Sequence, residues 1–426
     1  MDKQRFRAQA MVLLFVFATL CFFLRGLYGL RSPVDFIPVY AGARCLVVGC
    51  NPYDTDQLDA LYKQQGVPDS DLYGWDSSLP VYPPSALLVL APLGALKYTT
   101  ARVCWFLLIG ALYVTAAGTI LQLCPPPHRL LAVVLCSWLL IRSNKLIFMG
   151  QPATLAIALL AIGTVLLLRK RLSGFAALCL ILSLAVKPHI GLLVVLYLAV
   201  RGVQRRYAIT ALAGAMGMLL LGGAILYSRP ISAHWVGDLK TNIVSAALPG
   251  RPADPRPHLD WVPQADLQAV FSIFTPDQAT YNRLSYTASL ILFSLWLLGL
   301  RRAGRSFDAH LVALAAILCI TILAIYHTAT DLGVLMLAIP ATVVLWNRNR
   351  RLGGVAAAAL FLVLSPLQRI LQFQFLSHPR WQPVLDSPWL YTLLLRQQVL
   401  LLLLLTCVYL TALFAVRMQE EAPASA

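Results

Sequence analysis

The chain has 426 residues, 59% hydrophobic and 12% charged, with a mean hydropathy of +0.73. That composition excludes a soluble globular domain, whose surface needs far more charge, and makes lipid the solvent for most of the chain. The net charge of +16 would suggest nucleic acid in a soluble protein, but here the basic residues form short clusters between apolar runs, where they set membrane orientation; no nucleic-acid partner is expected.

The first apolar run, Ala8 to Leu24, follows Lys3, Arg5 and Arg7 and leads into Arg25-Gly26-Leu27 with no small-x-small cleavage pattern, so it reads as a signal anchor with a cytoplasmic N-terminus. A long extracytoplasmic segment follows, from about 28 to 100. Its stretch 34 to 48 reads as an amphipathic or interfacial helix, ending at the turn Gly49-Cys50-Asn51-Pro52. Its later part, 85 to 96, is apolar but too short to span, and is expected to lie in or re-enter the membrane surface. Cys45 and Cys50 share this segment. They are either oxidised to each other or remain thiols, and the thiol is the commoner state; the other seven of the nine Cys lie in or at the ends of apolar runs and behave as small hydrophobes.

Further along, the hydrophobic pattern predicts helices at about 101 to 123, 130 to 147, 153 to 168, 173 to 186, 189 to 200 and 207 to 227. Those at 173 to 186 and 189 to 200 are too short for a bilayer core about 30 Å thick and form a broken hairpin with Lys187-Pro188-His189 at its tip. A second extracytoplasmic segment, 228 to 284, is rich in Pro and Trp and is expected to fold partly against the first. Helices at 285 to 300, 308 to 326, 331 to 346, 353 to 371 and 392 to 416 follow, then a short cytoplasmic tail, 418 to 426. The expected fold is an all-α integral membrane protein with about twelve transmembrane or re-entrant helices, organised as a single polytopic membrane domain over 1 to 426. With basic clusters placed inside, both termini are cytoplasmic, and 14 of the 18 acidic residues fall outside.

On that topology Asp35, Gln151, Lys187, His189, His327 and Asp331 all lie at outer helix ends or in adjoining loops, as one active site there requires. A transporter would distribute polar residues through the whole depth of the membrane, and the spans contain almost none. Each residue also has a plainer explanation. Asp35 suits a helix N-cap, Lys187 can snorkel to the interface, Gly150-Gln151-Pro152 can be a simple turn, and His327 and Asp331 can satisfy backbone groups. No metal-ligand spacing, phosphate loop or nucleophile elbow is present, so neither metal nor cofactor is expected.

Asp35-Phe36, Tyr40, Ala43, Gly49 to Asp54 and Tyr82-Pro83-Pro84 ahead of Pro92-Leu93 together resemble glycosyltransferase family 87, the polyprenyl-phosphate-sugar-dependent membrane mannosyltransferases. Weaker matches continue at Gly150-Gln151, Lys187-Pro188 and His327 to Asp331 with Pro340 beyond. Pro152, Ala153 and Thr154 stand where the family often has an Asn. The resemblance implies the C-type glycosyltransferase architecture and inverting transfer of a hexose, mannose first, from a polyprenyl-phosphate donor to a lipid-linked or glycan acceptor on the extracytoplasmic face of a bacterial inner membrane. Asp35 would be the general base, Lys187, His189 and His327 would hold the donor phosphate, and Tyr40, Asn51, Tyr53, Tyr82, Gln151 and Asp331 would contact substrate, with Trp75 a further sugar-facing aromatic. The competing readings are a lipid-linked saccharide flippase and an O-antigen ligase or polymerase, the latter favoured by outer-face arginines such as Arg229, Arg251, Arg256 and Arg283.

Overall fold

A computed structural model describes residues 3–29, 33–65, 67, 79–251, 253–256 and 264–415. Among them the structure is helical, without an extended sheet. The N-terminal half runs through α1 (Lys3–Gly29), α2 (Phe36–Val48), α3 (Thr55–Gln64), α4 (Pro84–Gly94) and α5 (Tyr98–Ile120), then α6 (Arg129–Arg142) and α7 (Asn144–Phe148). Next come α8 (Pro152–Leu168), α9 (Ser173–Val186), α10 (Pro188–Val200), α11 (Arg205–Tyr227) and α12 (Trp235–Ala246). The rest comprises α13 (Gln268–Phe274), α14 (Gln278–Arg302), α15 (Phe307–Ala324), α16 (Ile339–Arg348), α17 (Arg350–Val363), α18 (Leu367–Leu376), α19 (Gln382–Leu385), α20 (Pro388–Leu395) and α21 (Gln397–Ala415).

Among the described residues, eight helical stretches are long and apolar enough to cross a membrane, or nine if the α17–α18 pair, bent by 52°, is one span. The remaining apolar helices, α2, α4, α8, α9 and α10, are shorter. The expected segment at 331 to 346 is helical but opens with a 3-10 stretch over Asp331–Ala338, and α3, α12 and α13 were not foreseen because they carry no long apolar run.

The chain folds as two compact units. Residues 19–119 and 143–254 form one; residues 1–18, 120–142 and 255–426 form the other. In the first unit, α2 departs from the amphipathic helix expected there. It is enclosed on nearly all sides, with Phe36 to Ala43, Cys45 and Leu46 buried. The reason is its small-residue face. Ala41, Gly42 and Ala43 let α4 approach at backbone level, so a Cβ added at Gly94 would lie 2.6 Å from the Ala43 carbonyl carbon. α4 packs against α9 and α11 as well as α2. The Cys45–Cys50 pair is a disulfide, closing the C-terminal end of α2.

The polypeptide after α11 returns to the first loop within the same unit. Arg229 Nη1 donates to Leu46 O at 2.8 Å, Asn51 Nδ2 donates to Asp238 Oδ2 at 2.8 Å, and Asn242 Nδ2 donates to Tyr53 O at 2.9 Å and Pro80 O at 3.2 Å. The two bonds from Asn242 satisfy loop carbonyls that burial by α12 would otherwise strand.

Candidate active site

Two helix starts meet in the first unit. Asp35 is the N-terminal flanking residue of α2 and Gln151 that of α8, and neither side chain caps its own helix. Gln151 Nε2 instead donates to Asp35 Oδ2 at 3.0 Å. The backbones are fastened too, since Asp35 N donates to Met149 O at 3.0 Å and Trp105 Nε1 to Gly150 O at 2.8 Å. Gly150 has φ +65°, and a Cβ there would come 2.8 Å from Phe36 Cβ and 3.1 Å from Pro33 Cβ, so only glycine fits. The N-cap explanation of Asp35 therefore does not account for its carboxylate, and Gly150-Gln151-Pro152 is a turn that also delivers a side chain.

Tyr82 extends the constellation, its hydroxyl donating to Gln151 Oε1 at 3.1 Å. Behind it, Tyr53 is buried and donates its hydroxyl to Tyr82 O at 2.8 Å; burial pushes the Tyr53 phenol well above its ordinary range, so it is a permanent donor. Asn51 is buried, its side chain accepting from Tyr53 N at 3.1 Å and donating to Asp238. Tyr40 is buried in an aromatic cluster with Phe36 and Tyr98, its hydroxyl donating to Leu96 O at 2.9 Å and Gln65 Oε1 at 3.2 Å. Burial, opposed by nearby Arg44, raises its phenol. Tyr40, Asn51 and Tyr53 thus hold the loops together, and their contacts are to protein rather than to open space. Trp75 lies outside the described residues.

Pro188 ends α9 because it cannot donate an N–H and restricts the residue before it, and Lys187 occupies that position in an extended conformation, φ −148° and ψ 80°. Lys187 and His189 are half-buried. Ser85 Oγ donates to Ala185 O at 2.7 Å, which ties this tip to the first turn of α4, three residues beyond Tyr82. Asp35, Gln151 and Tyr82 are therefore directly bonded, and Lys187 is attached to the same framework through Ser85.

The second unit holds a buried polar cluster. His327 Nδ1 lies 3.0 Å from Asp331 Oδ2, and both side chains are enclosed. Asp331 also accepts from Thr328 N at 3.4 Å, so it folds back on the turn before it instead of capping the helix after it. Sequence reasoning overlooked the residue that clamps this turn. Asp266, completely buried, accepts from His327 N at 3.3 Å and from Ala269 N at 3.1 Å, while Ala265 N donates to His327 O at 2.8 Å. Burial pushes the Asp266 carboxyl up to about 6 against the opposing pull of those N–H groups, His327 and Arg396. Two signals were available: Asp266 stands three residues before Ala269 at the start of α13, the spacing of a cap, and Arg396 interrupts the apolar run drawn from 392 to 416. Arg396 is buried, with Nη2 donating to Pro255 O at 3.2 Å.

Residues 81–252 match the model of glycosyltransferase family 87, and the likeness is confined to that region. No curated protein and no solved structure gave a match. The matched region contains Tyr82, Gln151, Lys187 and His189, whereas Asp35, His327 and Asp331 lie outside it.

Proposed function

We propose that the protein transfers a hexose, mannose foremost, from a polyprenyl-phosphate donor to a lipid-linked or glycan acceptor on the extracytoplasmic face of a bacterial inner membrane. The observation that carries this reading is the Asp35 carboxylate, unused by its own helix and held by Gln151 at 3.0 Å. The Cys45–Cys50 disulfide supports an oxidising, extracytoplasmic setting for the first loop.

In the proposed reaction the acceptor hydroxyl oxygen attacks the anomeric carbon while Asp35 takes the hydroxyl proton. The bond from that carbon to the phosphate oxygen breaks, its electron pair goes to the oxygen, and polyprenyl phosphate leaves as a stable anion that demands no general acid. One displacement inverts the anomeric configuration. Lys187 and His189 supply cationic and hydrogen-bonding contacts to the phosphate. His327 is proposed for the same kind of contact, with Asp331 fixing the orientation of its ring.

The test is transfer from radiolabelled polyprenyl-phosphate mannose to lipid acceptors by purified protein in nanodiscs, beside an equally folded Asp35→Asn variant. Transfer by the wild type that falls at least about 1000-fold in the variant is the expected result, in keeping with loss of a general base. Undiminished transfer in Asp35→Asn would remove that role, and no transfer from any lipid-linked sugar, with movement of the donor across the bilayer instead, would favour a flippase.

A further inference from the structure

We infer that Gln151 is a positioning residue for Asp35, with its amide oriented by Tyr82, rather than a residue that binds the sugar. The inference rests on the reading of Asp35 as the base. An ionised carboxylate only accepts hydrogen bonds, so the Gln151 amide must turn its NH2 toward Asp35 Oδ2, 3.0 Å away. Its Oε1 then faces Tyr82, which must donate, and the hydroxyl lies at 3.1 Å. Reversing the amide would set a carbonyl oxygen against the carboxylate. The three side chains therefore fit together in one sense, and that sense favours the charged form of Asp35.

Both ends of this relay are anchored by contacts that do not involve the amide. On one side, Asp35 N is bonded to Met149 O, and Gly150 fits against Pro33 and Phe36 with no room for a Cβ. The Gln151 side chain is thus delivered to Asp35 by the backbone. On the other side, Tyr82 O accepts from the buried Tyr53 hydroxyl at 2.8 Å, and Asn242 grips Tyr53 O and Pro80 O. With its backbone pinned, Tyr82 presents its hydroxyl to Gln151 in a fixed place. The consequence is a carboxylate held at one rotation about its Cβ–Cγ bond, the kind of preorganisation that lets a base meet the acceptor proton without rearrangement.

The experiment follows the Asp35 carboxyl directly, by infrared difference titration of the full-length protein in nanodiscs, with its band identified by absence in Asp35→Asn. Removing the amide in Gln151→Leu should move that titration to higher pH by at least about one unit, the shift expected when a charge-stabilising donor is lost. Gln151→Glu, which sets a second carboxylate beside the first, should move it further. Tyr82→Phe should move it in the same direction by less. The variants are compared at matched thermal stability, and if Gln151→Leu does not fold, the other two carry the test. An unchanged titration in the folded variants overturns the inference whether or not the protein transfers mannose, because this readout needs no substrate. Where transfer is measurable, the acid limb of the kcat/KM profile should move with the infrared titration. Tyr82→Phe should then add little to Gln151→Leu, since the two residues act in series; independent, multiplicative losses would count against the relay.

Discussion

Gly150 and Phe36 meet so closely that a Cβ on the glycine would lie 2.8 Å from the Phe36 Cβ, at a backbone φ of +65°. Gly150→Ala therefore faces two penalties, a left-handed conformation and a steric overlap in a packed core. The expected destabilisation is about 1 to 3 kcal/mol. Because Phe36 adjoins Asp35, sugar transfer should fall further than the loss of folded protein explains; thermal unfolding and activity measured on the same preparation check both.

The Cys45–Cys50 bond encloses a short loop, with a sequence separation of 5 residues. The chain-entropy relation gives about 2 kcal/mol for so short a closure. Reductant, or the paired change Cys45→Ala with Cys50→Ala, should lower the unfolding temperature by several degrees without abolishing folding. Cys50, which is partly exposed, should react with a thiol reagent only after reduction.

Asp266 sets a pH dependence of stability. Its folded-state carboxyl titrates at about 6, against an ordinary value of 3.8, because burial disfavours the charge. The folded protein therefore holds this proton over a range in which the unfolded chain has lost it. The stabilising contribution is full below about 4, declines as pH rises through about 6 and is then gone, a change on the order of 2 to 3 kcal/mol. Unfolding followed between pH 4 and 7 should show that slope, and Asp266→Asn should flatten it.

Lys187 is expected to act on the donor phosphate. Lys187→Ala should raise the donor KM about 10- to 100-fold, corresponding to one charge-assisted hydrogen bond, while Lys187→Arg retains much of the binding. Initial rates against donor concentration test this, and an unaltered KM would leave Lys187 as an interfacial side chain.

The long apolar segments were legible because twenty successive hydrophobic residues admit few structures, and Lys187-Pro188 announced its own break. Asp35 and Gln151 were legible as candidates, but their hydrogen bond was not, because 116 positions separate them and only packing brings two helix starts together. The pattern from 34 to 48 misled for a physical reason. The one charged side chain in the helix, Arg44, turns its Nη1 to Gly94 O at 3.0 Å, and the small residues beside it invite close backbone contact rather than solvent. Tyr40 misled similarly, since an aromatic suited to stacking on sugar stacks equally well on other rings. Asp266 and Arg396 passed unnoticed because polar residues in a loop, or at the edge of an apolar run, look ordinary until burial is known.

α8 is buried along its whole length except at Leu166. Helices that border lipid tilt or bow when a bilayer is thicker or thinner than they are long, but one screened from acyl chains has no hydrophobic edge to match. Gln151, at the start of α8, is thus carried on an element sheltered from such mismatch. The grip on Asp35 should then tolerate changes in lipid chain length, leaving the geometry around this carboxylate insensitive to membrane composition.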